Sequence, residues 1–130
     1  MLKKILIANR GEIAVRIIRE CLDTSTEAVA VYSIADKEAL HRLIATEAVC
    51  IGGPAAKDSY LNMANIIEAA QGTGAQAIHP GFGFLSESSE FARKCREEGL
   101  IFIGPSPETI DMMGNKSAAR ELMQKAGVPV

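Results

Sequence analysis

The sequence has no tryptophan, aromatic residues make up only 5% of it, and its three cysteines, Cys21, Cys50 and Cys95, stand far apart. The scarcity of flat side chains disfavours a nucleic-acid surface built on base stacking. An odd number of scattered thiols, none in a CxxC pair and none near a histidine at metal-ligand spacing, disfavours a disulfide framework and a zinc site alike. Small buried thiols in a reducing compartment are expected instead. His41 and His79 are too isolated in the chain to suggest a metal. An excess of one charge is missing as well: 14 basic against 16 acidic residues leave a formal net charge of -2, which removes any general electrostatic grip on nucleic acid or anionic lipid. No apolar run approaches the roughly 18 to 20 residues that span a bilayer. Asn9, Arg10 and Glu12 end the first apolar run too early for an export signal. A soluble cytoplasmic protein that binds neither nucleic acid nor membrane is the expectation.

What remains is an ordinary globular composition, 48% apolar and 23% charged over 130 residues, which suits one folded domain. Residues 3 to 8 form an unbroken apolar run with a basic lead-in, the pattern of a strand covered on both faces. Ile13, Ala14, Ile17, Ile18, Cys21 and Leu22 then make the stripe of an amphipathic helix. A strand is predicted over 27–32, a helix containing Leu40, Leu43 and Ile44 with Asp36 as N-cap, and a third strand over 48–51. After the break at Gly52, Gly53 and Pro54 come a helix over 61–71, with Gly72 and Gly74 past its end, and a strand over 76–79. A loop over 80–84, caps at Ser86 or Ser88, a helix around Phe91, Ala92 and Cys95 stopped by Gly99, and a strand over 100–103 complete the series. Alternating strands and helices at this spacing predict an α/β fold: an open, mostly parallel five-stranded sheet with helices on both faces, Rossmann-like. The last third departs from that rhythm, with a short helix over 107–113, an interruption at Gly114, and another helix over 116–126 before Gly127, Val128 and Pro129. An ending on a Val-Pro-Val segment suggests a cut inside a longer protein.

Three stretches carry chemistry. The first strand-to-helix turn, Ala8-Asn9-Arg10-Gly11-Glu12-Ile13, has one glycine where a dinucleotide fold has GxGxxG, and no Walker pattern occurs. Asn9, Arg10 or Glu12 stand where a ligand could be met, at the carboxyl end of a strand, although capping and turn formation are their plainer reading. His79-Pro80-Gly81-Phe82-Gly83-Phe84-Leu85-Ser86-Glu87 places glycines that let backbone approach a ligand beside aromatics that offer an apolar wall. A rigid crossover loop is its plainer reading, a structural imidazole the plainer reading of His79, and helix-terminal charge that of Glu87. Met113-Gly114-Asn115-Lys116-Ser117 puts Lys116 after a glycine break, near a helix start that favours anions. Taken alone, that residue reads more simply as an exposed surface lysine.

Four blocks in order, Ile7-Ala8-Asn9-Arg10-Gly11-Glu12-Ile13-Ala14, Ser59-Tyr60-Leu61-Asn62, the 79–87 stretch, and Phe102-Ile103-Gly104-Pro105 leading to Met113-Gly114-Asn115-Lys116, resemble the N-terminal domain of biotin carboxylases. The resemblance covers the chain from Lys4 to Val130. It implies an α/β domain preceding an ATP-grasp domain in an enzyme that uses ATP, Mg2+ and bicarbonate to carboxylate biotin on its carrier protein. The metal carboxylates and the bicarbonate-binding arginine of the family lie beyond Val130, so the fragment is expected to be inactive alone. By position, Lys116 resembles the family's ATP-contacting lysine. Gly81, Phe82 and Gly83 match the loop beside the biotin ureido ring, with Phe82 where tyrosine is common. Arg19 and Asp23 match a homodimer surface of the first helix, with Asp23 where glutamate is usual. Asn115 replaces a frequent aspartate, and 21–26 lacks the glycine that commonly ends that helix. The implied partners are the biotin carboxyl carrier protein and a carboxyltransferase, and acetyl-CoA carboxylase, serving fatty acid biosynthesis, is the expected context. Pyruvate and propionyl-CoA carboxylases are the near rivals. A non-catalytic nucleotide-binding or interaction module on the same fold is the alternative from another class.

Overall fold

Alternation along β1 (Lys4–Ile7) and β2 (Glu27–Ser33) divides their side chains between two cores. Leu6, Val29 and Val31 join one cluster, and Ile5, Ile7, Ala28 and Ala30 the other, as the two-residue period of a strand requires. In this computed structural model, which describes residues 2–125, both faces of the sheet are therefore covered. The five strands, completed by β3 (Glu47–Gly52), β4 (Ala77–His79) and β5 (Ile101–Phe102), lie in the order β3-β2-β1-β4-β5. Every pairing is parallel, with Leu6 opposite both Val29 and Ile78. The sheet is thus wholly parallel where the sequence predicts a mostly parallel one.

Helix α1 (Gly11–Asp23) lays Ala14, Ile18 and Cys21 against Ile7, Ala28 and Ala30. The two alanines of β2 let the helix sit close to the sheet, and α2 (Leu40–Ile44) flanks it through Ile44. On the other face, α3 (Met63–Thr73) and α4 (Ser89–Glu97) bury Ile66, Ile67, Phe91 and Cys95 over the larger Val29, Val31 and Ile78. Asn62 caps α3 by accepting from the Asn65 N–H at 3.0 Å, and Ser88 caps α4 by accepting from the Phe91 N–H at 3.1 Å, each satisfying a donor that the helix start leaves unpaired. The missing glycine after α1 is replaced by Ser25, at φ 60°, while Thr24 Oγ1 bonds the Glu20 and Cys21 carbonyls. Gly74 and Gly99 make the equivalent left-handed turns after α3 and α4.

Four local expectations change. Asp36 caps nothing: it ends a 3-10 turn over Ile34–Asp36, and α2 starts four residues later from an extended Ala39, because the carboxylate is already held by Arg10 and Tyr60. Leu40 and Leu43 of α2 are exposed, and the buried residue of that helix is His41. Finally, α5 (Pro107–Lys125) is one helix that runs through Gly114. One interior glycine costs about 1 kcal/mol against alanine, too little to stop a helix without a proline. Gly72 likewise lies inside α3. Arg93 and Arg96 of α4 pair with Asp111 and Glu108 of α5.

Candidate functional site

From β1 the chain steps outward through β2 to β3, then crosses back to β4 on the other side of β1. The carboxyl ends of β1 and β4 therefore flank the point where the strand order reverses, the place at which open α/β sheets take ligands. Ala8 and Asn9 follow β1, and Pro80 to Phe84 follow β4. The Ala8 N–H donates to the His79 carbonyl at 2.9 Å, prolonging the ladder by one bond. Asn9, 2% exposed, then uses its whole amide: Nδ2 donates to the Pro80 carbonyl at 2.8 Å and the Phe82 carbonyl at 2.7 Å, and Oδ1 accepts the Arg10 N–H at 2.8 Å.

Gly81 makes this approach possible, since a Cβ there would lie 2.6 Å from Asn9 Nδ2. Its φ is 66°, that of Gly83 69° and that of Phe84 46°, so left-handed backbone recurs through the loop, once in a residue with a large side chain that pays a steric penalty there. Phe84 is held by packing, its ring 5.3 Å from that of Tyr60. Phe82 is 76% exposed. The two aromatics of the loop thus do different things, one anchoring and one projecting. His79 anchors the loop too, accepting the Gly81 N–H on Nδ1 at 3.1 Å. That bond occupies the lone pair and leaves the proton on Nε2, and burial lowers the imidazole pKa while Glu20 opposes it. A neutral His79 with its lone pair engaged is a structural group rather than a base.

Between the loop and α1 lies a cleft of about 290 Å³ lined by Ile13, Arg16, Ile17, Glu20, His79, Gly81 and Phe82. Apolar walls from Ile13, Ile17 and Phe82 with polar groups at the margin suit a flat, largely uncharged ring. On the β2 side of Asn9, Arg10 forms a bidentate pair with Asp36 at 2.7 and 2.8 Å. The buried Tyr60 hydroxyl donates to the same carboxylate at 2.7 Å and accepts the Ser33 N–H at 3.1 Å. Arg10 also lies over the Tyr60 ring, 5.9 Å from its centroid. These partners hold the Asp36 carboxyl down to about 2, chiefly through the Arg10 bond, while burial and the adjacent carboxylate push Tyr60 up to about 12.

Gly81, Phe82 and Gly83 therefore fall together at the rim, beside Asn9. Lys116 does not start a helix: it is inside α5 and exposed, so the helix-terminal anion argument no longer applies to it. Arg19 and Asp23 are exposed, one turn apart on α1. Glu12 is exposed in the first turn of α1, and Glu87 is exposed ahead of α4. Among the described residues no three His, Cys, Asp or Glu side chains gather as a metal site, and no helix is long and apolar enough to cross a membrane. The Arg10, Asp36 and Tyr60 cluster escapes a reading by periodicity. Its only signal is an arginine after β1 and an aspartate after β2, which a right-handed crossover between neighbouring parallel strands brings to one rim.

The family model described as "Biotin carboxylase, N-terminal domain" matches residues 1–110. The chain is 59% identical over 130 residues to biotin carboxylase 1 of Bacillus subtilis, covering all of this chain and 29% of that protein. It is 56% identical over 128 residues to the mitochondrial methylcrotonoyl-CoA carboxylase subunit alpha of Oryza sativa, covering 98% of this chain and 17% of that protein. Among solved structures, the biotin carboxylase subunit of pyruvate carboxylase superposes with a TM-score of 0.86 at 51% identity, over 100% of this chain and 29% of that one. The chain thus spans less than a third of each of these relatives.

Proposed function

Since the chain belongs to the biotin carboxylase N-terminal domain family, we propose that it is the leading domain of a ligase that uses ATP and bicarbonate to carboxylate biotin on a carrier protein. The observation that carries this reading is the left-handed loop at Gly81, Phe82 and Gly83, fixed at the strand-order reversal beside an apolar cleft. Phe82 offers a flat wall to the biotin ring system, without the hydroxyl that a tyrosine would bring. Lys116 contributes a positive charge toward ATP, its exposed position on α5 leaving it free to face a following ATP-grasp domain. When bound, ATP supplies the phosphoryl group that activates bicarbonate and Mg2+ offsets its charge. In this reading, as the family resemblance implies, the metal ligands come from polypeptide outside the chain.

Carrier protein, carboxyltransferase and a second copy meeting Arg19 and Asp23 complete the reading, with the cytoplasm as location. We place acetyl-CoA first as final acceptor. Similarity to the methylcrotonoyl-CoA and pyruvate carboxylase relatives supports those acceptors as a second reading, because the residues of this domain contact biotin and ATP rather than the acyl group. The test is ATP- and bicarbonate-dependent carboxylation of free biotin by the full-length protein. Phe82→Ala is expected to raise the KM for biotin, and Lys116→Ala to raise that for ATP by the equivalent of about 1–3 kcal/mol, the range for a charged hydrogen bond. A Lys116→Ala enzyme with unchanged ATP dependence would remove that residue from the site, and failure of the full-length protein to carboxylate biotin would overturn the function.

A further inference from the structure

We propose that Asn9 is the positioning residue that fixes the Phe82 loop against the cleft, an inference that rests on the biotin-side reading of that loop. Phe82 is 76% exposed, so little side-chain packing sets where its ring stands, and its location depends on its backbone. Asn9 reaches that backbone directly, donating to the Phe82 carbonyl at 2.7 Å and to the Pro80 carbonyl two residues earlier at 2.8 Å. The amide has one workable orientation: turned over, its oxygen would face two carbonyl oxygens and its NH2 would face the Arg10 N–H. Arg10 in turn is braced by Asp36, which Tyr60 also binds, and Tyr60 packs on Phe84 at the far side of the loop. Asn9 therefore links the strand end, the braced arginine and the projecting phenylalanine. It acts on substrate only through Phe82.

The test uses the full-length protein and Asn9→Asp, which keeps the shape and replaces two N–H donors with acceptors. Expected are faster amide exchange over residues 80–86 and a KM for free biotin raised about tenfold or more, with the KM for ATP unchanged. A general loss of folding would lower the active fraction, and with it the apparent kcat, while leaving both KM values where they are. Unchanged exchange in the loop overturns the proposal, as does faster exchange with an unmoved biotin KM when Phe82→Ala does raise it. An unmoved biotin KM in both variants overturns the biotin-side reading and the proposal with it, and the exchange result still reports whether Asn9 anchors the loop. If Asn9→Asp fails to fold, Gly81→Ala attacks the same contact from the other side, its Cβ 2.6 Å from Asn9 Nδ2. The same selective rise in biotin KM is expected of it, and equal movement of both KM values overturns the proposal.

Discussion

The Phe82 loop and the Lys116 stretch of α5 differ in how much of their geometry this chain supplies. The loop is held by Asn9, His79 and the Tyr60 ring, all buried or half-buried and all hydrogen-bonded or packed. Lys116 stands exposed on a helix tied to the rest through ion pairs nearer its start. A binding element whose hydrogen bonds are already made loses little freedom when substrate arrives, whereas an exposed lysine, rich in rotamers, must be ordered at that moment. One region is finished within the domain, and the other takes its final form from whatever it faces.

Three measurements break or sharpen that contrast. The largest effect is expected from Asp36→Ala, which strips Arg10 and the buried Tyr60 hydroxyl of a common partner and should cost about 2–3 kcal/mol in urea unfolding, discounted for the half-exposed arginine. A cost near zero would mean that the cluster does not brace the loop side. Next is pH. The folded Asp36 carboxyl titrates at about 2 against an ordinary 3.8, so its contribution is complete above about pH 4 and is lost as pH falls through about 2. Tyr60 works in the opposite direction: shifted from 10.0 to about 12, it contributes below pH 10 and is lost as pH rises through about 12. Asp36→Asn should flatten the acid limb of stability against pH and Tyr60→Phe the alkaline limb, each read by unfolding across the pH range. The smallest effect is that of Lys116→Ala on stability, within about 0.5 kcal/mol as for other exposed positions. A loss as large as that of Asp36→Ala would erase the distinction.

Much of the scaffold is legible in the residues. The unbroken apolar run of β1 declares burial on both faces, the stripe from Ile13 to Cys21 declares α1, and strands spaced by helices declare a parallel sheet. Periodicity reports what faces a core, however, and is silent on which polar groups find each other. Asp36 has the composition of an N-cap and loses that role to Arg10, 26 residues away. Gly114 resembles a break and is overridden by helix propagation on both sides of it. Ser25 stands where a glycine is expected and adopts the left-handed backbone, with Thr24 bonding the helix end beside it. The loop around Phe82 is visible as an unusual string of glycines and aromatics. Its anchor is not, because Asn9 and Phe82 are joined only by a crossover that passes through three intervening strands and helices.

With every strand running the same way, the left-handed turns at Ser25, Gly74 and Gly99 collect where the strands begin, at the end of the sheet opposite Asn9. Protein engineers have two unequal sides to choose from. Grafted peptides, fluorophores or permuted ends belong on the turn-bearing end, where added chain leaves the anchored loop untouched, while insertions at the opposite end would fall beside the Asn9 and Arg10 contacts.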